Sequence, residues 1–438
     1  MSEWKNIPIR DLFDYTIAGE WGSKPLPENS IPVLRSTNFT NSGKLDLHDI
    51  EMRTVPKNKL EKRLIRCGDT LMEKSGGSPG QPAGRVVYAD VPFICTCSNF
   101  IELCRPNSAY DALYIFFKLF YCYNTGLINR YQQQTTGLIN FKLDQYLDEQ
   151  IDVPSEKNEQ RKIARILSTV DSVIERTEAA IAKYTAIKQG MMHDLFTRGI
   201  VLKTGKLRPK YEDAPELYKK TELGMVPKEW EVVQISSFCD IKGGKRLPAG
   251  SDFADGITKF PYLRVTDMVD GTINQTELKY VPVCLEPFIR PYKIYKHDVY
   301  VTIAGTLGLF GTIPDNLDGA QLTENAARLT NFDEDIYDRD FIKYQCNSDI
   351  IQNQLRREIG VGGGVPKLAL FRIGRFAFLK PNKEEQELIT VRIRCADINL
   401  LTVKCELGKF KEVKLALMSV LLTGRKRVKY TEETTEAS

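Results

Sequence analysis

The sequence predicts an α+β protein: two mixed α/β domains in tandem, each followed by a long α-helix, the two helices pairing as an antiparallel coiled coil about a pseudo-twofold axis. Three observations predict this. The stretch KNEQRKIARILSTVD (157–171) returns as KEEQELITVRIRCAD (383–397), with Gln160 and Gln386 standing 226 residues apart. Other segments pair across the two halves in the same order and at nearly the same interval. Each of the two stretches also opens an apolar stripe roughly forty residues long.

The matches run through the whole chain. Trp4, Ile7, Ile9 and Leu12 answer Trp230, Val233, Ile235 and Phe238. Arg35-Ser36-Thr37 answers Arg264-Val265-Thr266, and Asp69 with Gly76 answers Asp298 with Gly305, so about three residues have entered the second copy. Asn99 answers Asn325, back at 226, and Thr136-Gly137-Leu138 meets Gly362-Gly363-Gly364. Leu195-Phe196-Thr197 and Leu421-Leu422-Thr423 close the two copies alike. Length agrees, since 438 residues exceed what one ordinary core organises.

Within each copy, β-rich runs at 31–34, 85–88, 93–96, 299–303 and 376–379 predict strands, bounded by Gly, Pro and Asn. Residues 111–123 and 339–357 predict helices. The first long helix carries Ile163, Leu167, Val170, Ile174, Thr177, Ile181, Tyr184, Ile187, Met191 and Leu195 at three-or-four spacing. The second carries Ile389, Ile393, Ala396, Leu400, Val403, Leu407, Phe410, Val413, Leu417 and Leu421. Pro154 and Pro381 precede them, where an extended lead-in enters a helix. A helix of this length is a rod of about 60 Å, and its stripe needs a partner stripe; the duplicate supplies one.

Composition narrows the function. The formal net charge is +4, with 61 basic and 57 acidic residues, so any basic groove is local. Ten cysteines without a CxxC pair predict reduced thiols used as small hydrophobes in the cytoplasm. The opening residues lack an apolar signal core, and the run 113–123 is too short for a membrane span. Three histidines lie away from metal-ligand spacing, and HExxH, P-loop and GxSxG patterns are absent. Residues 360–364 are Gly-rich without a strand–turn–helix frame. No Asn/Asp-Pro-Pro-aromatic tetrapeptide occurs, and Pro314-Asp315 is followed by Glu324-Asn325-Ala326 without the lysine of a PD…ExK nuclease. These absences predict a non-catalytic chain.

Polar, basic and Gly-flanked loops recur at matched places. Arg, Asn, Lys and Thr side chains contact phosphates and base edges, and glycines let backbone amides approach phosphate. The candidates for DNA contact are Arg35, Asn38, Lys74 and Lys142 in the first domain and Lys245, Arg246, Arg264, Thr266 and Lys367 in the second. Arg35 and Arg264 have a second reading, as ion-pair partners at strand ends.

The helix opening Asn158-Glu159-Gln160-Arg161-Lys162-Ile163, its echo Glu384-Glu385-Gln386, the helix ends and the junction KTELGMVPKEW (220–230) resemble the specificity (S) subunits of type I restriction–modification systems over essentially the whole chain. The resemblance implies target recognition domains at 1–155 and 226–382, each reading one half of a split double-stranded DNA sequence. It implies conserved helices at 156–199 and 383–425 forming the coiled coil, a linker at 200–225 and a tail at 426–438. It further implies two modification (methyltransferase) subunits carrying S-adenosylmethionine and two restriction subunits using ATP and Mg, with no cofactor on this chain. Gln160, Ile163, Val170, Ile181, Leu195, Gln386, Ile393, Leu400, Phe410 and Leu421 are then the coiled-coil and docking candidates. A rod between two readers would fix the gap between half-sites in steps of about 3.4 Å per base pair. The second helix departs from the family in opening Glu-Glu-Gln-Glu-Leu-Ile instead of the basic Gln-Arg-Lys-Ile. The specificity subunit of a type IIB-like enzyme, or a coiled-coil scaffold without DNA, are the alternatives.

Overall fold

Five helices of eight or more residues occur among the described residues: α1 (Ala112–Asn124), α2 (Lys157–Arg198), α3 (Arg339–Cys346), α4 (Asp349–Ile359) and α5 (Lys383–Leu421). The computed structural model describes residues 3–26, 30–78, 80–134, 139–359 and 367–429. The paired segments at 136–138 and 362–364, and the Gly-rich run from 360, lie outside them. The chain forms two units. Unit 1 takes Met1–Ala179 and Cys405–Ser438, and unit 2 takes Ala180–Lys404. Both long helices therefore contribute a segment to each unit.

In unit 1, strand Trp4–Pro8 pairs antiparallel with Gln150–Pro154, Trp4 opposite Pro154. A four-stranded antiparallel sheet runs Phe13–Ala18, Ile101–Pro106, Thr70–Glu73, Val86–Tyr88. Beside it, Ser30–Leu34 pairs antiparallel with Glu51–Thr54 and parallel with Thr96–Cys97. Unit 2 repeats each step. Glu231–Gln234 pairs with Ala377–Lys380. A sheet runs Asp240–Gly243, Ala326–Thr330, Val299–Thr302, Phe310–Gly311, and Pro261–Leu263 pairs antiparallel with Lys279–Tyr280 and parallel with Ala320–Leu322. The duplication read from sequence is thus a duplication of topology.

The long helices are fixed to the domains at their first turns. Gln160 is fully buried; its Nε2 donates to the Pro154 carbonyl at 2.9 Å and its Oε1 accepts from the Asp111 N–H at 2.8 Å. Asp111 is in turn the N-cap of α1, accepting from the Tyr114 N–H. Gln386 does the same in unit 2, with the Pro381 carbonyl at 2.9 Å and the Asp338 N–H at 2.9 Å, Asp338 being the N-cap of α3. Each Gln therefore satisfies the proline carbonyl before its own helix and one backbone donor of the domain helix.

The neighbouring acids are buried too. Glu159 receives Arg427, Nε and Nη2 each at 2.8 Å, and Arg427 lies over the Trp4 ring at 5.6 Å. Glu385 receives Arg208, with Nη2 at 3.1 Å from Oε2, and the Trp230 indole N–H at 3.0 Å. A buried carboxylate needs a cation and hydrogen bonds, and in both units the cation comes from just past the end of the other long helix. Gly199 and Gly424 make those exits, at φ 64° and 72°, packed against Trp230 and Trp4. In unit 1 the buried Lys118 ammonium also donates to the Leu422 carbonyl at 2.8 Å, a cation where the α5 dipole is negative. Burial lowers the Lys118 pKa.

Along the pair, α2 and α5 pack antiparallel within each unit. Lys414 bridges Asp171 at 2.6 Å and Lys411 bridges Glu178 at 2.8 Å in unit 1; Lys188 bridges Asp397 at 2.5 Å in unit 2. Asp171 and Asp397 end the two repeated stretches, and each lysine also lies over a domain ring, Lys414 at 5.1 Å from Phe120 and Lys188 at 5.9 Å from Tyr344. These bridges correct the apolar stripe. Tyr184, Ile187 and Val413 are 43%, 52% and 47% exposed, while Lys188 and Lys414 turn inward, their stems covered and their ammonium groups paired. Ile163, Ile393, Leu195 and Leu421 are buried and Val170, Ile181, Leu400 and Phe410 half-buried, as the periodicity requires.

Three local expectations differ. The predicted strand at 93–96 reduces to Thr96–Cys97. The helix expected over 339–357 breaks between α3 and α4, because the Asn347 side chain turns away to accept from the Phe310 N–H at 3.1 Å and donate to its carbonyl at 2.8 Å. The segment 200–225, expected as a linker, is largely folded: Ile200–Val201 pairs with Lys206–Leu207, and Tyr218–Thr221 with Gly224–Pro227. It delivers Arg208 to Glu385.

The Arg208 and Glu385 side chains are 8% and 1% exposed. Glu385→Ala leaves that buried guanidinium with only the exposed Glu229, at 2.6 Å, as a charge partner and the Trp230 indole N–H without its acceptor. It is expected to cost up to about 3–5 kcal/mol in urea unfolding, part of which Glu385→Ala with Arg208→Met restores. A loss below about 1 kcal/mol would place the pair among ordinary surface bridges.

Candidate nucleic-acid interface

The matched loops fall into two kinds of place. The first is a turn after the parallel strand. In unit 1 the Arg35 N–H donates to Asn38 Oδ1 at 2.8 Å, and Asn38 Nδ2 donates to the Asp46 and Asp49 carbonyls at 2.9 and 2.8 Å. The Arg35 guanidinium pairs with Asp49 at 2.8 Å and Glu51 at 3.3 Å. In unit 2 the Arg264 N–H and guanidinium both bind Asp267, at 2.8 and 2.6 Å, and Nη2 also reaches the Glu277 carbonyl. Arg35 and Arg264 are thus the ion-pair partners of the second reading, and Asn38 is a buried turn-former. Thr266, in the same turn of unit 2, is exposed.

The second place is the rim where the strand Ile139–Phe141, or Lys367 in unit 2, leads into a short helix. In unit 1, Lys74 donates its N–H to the Phe100 carbonyl and accepts from the Phe141 N–H, both at 2.8 Å. Its ammonium lies 2.9 Å from Glu102. Lys142, exposed, begins the helix Leu143–Leu147, and Lys74, Glu102, Gln133, Lys142, Asp144 and Gln145 together line a concavity of about 700 Å³. Two glutamines offer donors and acceptors to bases and the exposed Lys142 a cation to phosphate, while the Lys74 charge is met by Glu102. Unit 2 builds the same rim: Ala304 bridges Lys367, the Leu368 N–H donates to the Ile303 carbonyl at 2.9 Å, and the helix Leu370–Gly374 follows.

Lys245 and Arg246 stand beside that rim. Gly244, just before them, passes so close to the next strand that an added Cβ would lie 2.1 Å from the Thr323 carbonyl oxygen. Gly19 holds the corresponding place in unit 1, where an added Cβ would collide with the Cys97 carbonyl oxygen. Arg246 pairs with Glu324 at 3.0 Å yet is 73% exposed, and the Lys245 ammonium lies 5.8 Å over the Tyr292 ring.

Sequence reasoning missed two features. Arg85, from the central sheet, pairs with buried Glu73 at 2.8 Å and donates to the Ser36 and Phe39 carbonyls, clamping the Arg35 turn to the sheet. Nothing in its sequence context marks it. Phe371 is 60% exposed, with the Arg375 and Arg372 guanidinium groups 5.1 and 5.9 Å from its ring. The interleaving of aromatic and basic residues in Leu370-Phe371-Arg372-Ile373-Gly374-Arg375-Phe376 was the available signal.

Twin domains with a polar rim, each fastened to segments of the same two helices, define a duplicated module. The model of the type I restriction modification DNA specificity domain matches residues 1–184 and 227–394, and the chain belongs to that family. It is 27% identical over 342 residues to the type I restriction enzyme MjaVIII specificity subunit of Methanocaldococcus jannaschii, covering 76% of this chain and 74% of that protein. It is 25% identical over 180 residues to the EcoBI specificity subunit of Escherichia coli, covering 39% of this chain and 36% of that protein. The fold is similar to the crystal structure of the type I S subunit from M. genitalium, at TM-score 0.54 and 17% identity over 98% of this chain and 97% of that one. A chain from a study of assembly and conformational transition of the type I system gives 0.54 and 13%, over 97% and 98%. No helix among the described residues is long and apolar enough to cross a membrane.

The buried Asn38 amide makes three backbone bonds, so Asn38→Ala is expected to lower unit 1 stability by about 1–3 kcal/mol in chemical denaturation. Thr266→Ala, at an exposed position of the equivalent turn, should change stability by less than about 0.5 kcal/mol.

Proposed function

We propose that the chain is the sequence-specific DNA-binding subunit of a type I restriction–modification complex, each unit reading one half of a bipartite double-stranded target. The observation that carries this reading is the rim built twice, with Lys74 and Lys142 in one copy and Lys367, Phe371 and Arg375 in the other, on domains clasped by the same helix pair. In this reading the pair is the spacer that sets the unread gap. It is also the docking site for two methyltransferase subunits, with two restriction subunits completing the assembly in the cytoplasm. S-adenosylmethionine, ATP and Mg belong to those partners, and the chain itself is non-catalytic. Gln160 and Gln386 anchor the helices from within, so docking falls to their exposed neighbours.

Lys142 and Lys367 are the phosphate contacts, and Phe371 stacks on a base or sugar between flanking arginines. Arg35, Asn38 and Arg264 shape the loops; Lys245, Arg246 and Thr266 remain direct-contact candidates.

In the assembled methyltransferase complex, Lys142→Ala is expected to weaken footprint protection at one half-site and Phe371→Ala at the other, stacking being worth about 1–3 kcal/mol. Affinity should fall steeply with salt, and Lys142→Ala should reduce the log–log slope by about one. Equal loss at both half-sites, or salt-independent binding, would contradict the reading.

A further inference from the structure

The two helix openings differ on the face turned away from the core. On α5, Leu388, Val391, Cys395 and Ile398 fall within one arc of about 80° at 100° per residue, opposite the buried Ile389 and Ile393. Leu388, Val391 and Ile398 are 39%, 53% and 56% exposed, and Cys395 is exposed. The residues 226 positions earlier on α2 are Lys162, Arg165, Thr169 and Ser172, all exposed and all polar. The apolar arc of unit 2 is therefore no requirement of the repeated fold, since unit 1 is built without it. Charge differs too: exposed Glu384 and Glu387 flank the arc on α5, with Arg394 beside it paired to Asp340, where α2 carries half-buried Asn158 and exposed Arg161.

One exposed apolar position is shared, Ile187 on α2 and Val413 on α5, again 226 apart. A contact through it is open to both units; a contact through the arc is open to unit 2 alone. The spacing i, i+3, i+7, i+10 is the register in which one apolar helix face lies along another. Four half-exposed side chains fall well short of the roughly 800 Å² per partner that a stable interface buries, so the arc is too small to hold a second copy of this chain by itself. It suits a partner that other contacts already hold.

We propose that the arc makes the two methyltransferase docking sites unequal: the subunit on unit 2 lays an apolar helix face on Leu388, Val391 and Ile398 and binds first, whereas the subunit on unit 1 meets Lys162, Arg165 and Ser172 and binds more weakly. This rests on the reading that the chain docks methyltransferase subunits. A single surface of the partner cannot complement an acid-flanked apolar arc and a basic polar one equally, so the pseudo-symmetry of the fold does not extend to assembly.

The test titrates the full chain with the methyltransferase subunit, reading stoichiometry by native mass spectrometry and Cys395 alkylation by iodoacetamide. Burying three such side chains predicts two binding steps at least about tenfold apart, with a populated 1:1 complex in which Cys395 is already protected. Leu388→Lys, Val391→Arg and Ile398→Ser together copy the α2 residues onto exposed α5 positions and should weaken the first step to match the second. Two equal steps in the unaltered chain, unchanged Cys395 reactivity on binding, or an unaffected triple variant would overturn the inference while leaving docking intact. No binding at all would overturn the docking reading and the inference with it.

Discussion

A carboxylate buried in the first turn of each long helix is the constraint on which the rest of the structure depends. Glu159 and Glu385 have essentially no exposure, and a buried charge without a partner is among the costliest features a fold can carry. The partners, Arg427 and Arg208, lie just beyond the far ends of α5 and α2. Satisfying Glu385 requires α2 to end beside the start of α5, and satisfying Glu159 requires α5 to end beside the start of α2. The antiparallel pairing follows from these two demands together. The adjacent glutamines then tie each start to a domain helix, so helix pair and domain form one body within each unit.

Much of this was legible in the sequence because duplication makes a pattern self-checking. The tandem duplication, the two long helices and the matched loops all follow from residues standing 226 to 229 apart; the strand order does not. What remained hidden depends on distant partners. Glu159 and Glu385 look like solvated first-turn acids until Arg427 and Arg208 are placed beside them. Lys188 and Lys414 were passed over for Ile187 and Val413 because a hydrophobicity pattern cannot see that a lysine stem, an aspartate and an aromatic ring together make a half-buried position. For Arg35 the matched loops leave two readings, DNA contact and ion-pair partner at a strand end; its acids at 49 and 51 lie near in sequence, but only the strand pairing shows them facing it.

In the proposed function, one scaffold serves two recognition tasks through its two rims. The frame is constant: the Gln and Glu anchors, the close-packed Gly19 and Gly244, and the sheet order. The rim is not. Unit 1 lines it with lysines, glutamines and acids, unit 2 with an exposed phenylalanine among arginines. Loops on a rigid frame are free to diverge because their side chains carry little of the core. In the proposed function this separation lets each half-site change while the gap between them stays fixed.

The most direct measurement exchanges residues 227–380 for those of a relative and maps adenine methylation across a genome after co-expression with the methyltransferase subunit. The account predicts a bipartite motif in which one half changes while the other half and the gap length stay the same. A change in both halves, or in the gap, would contradict it.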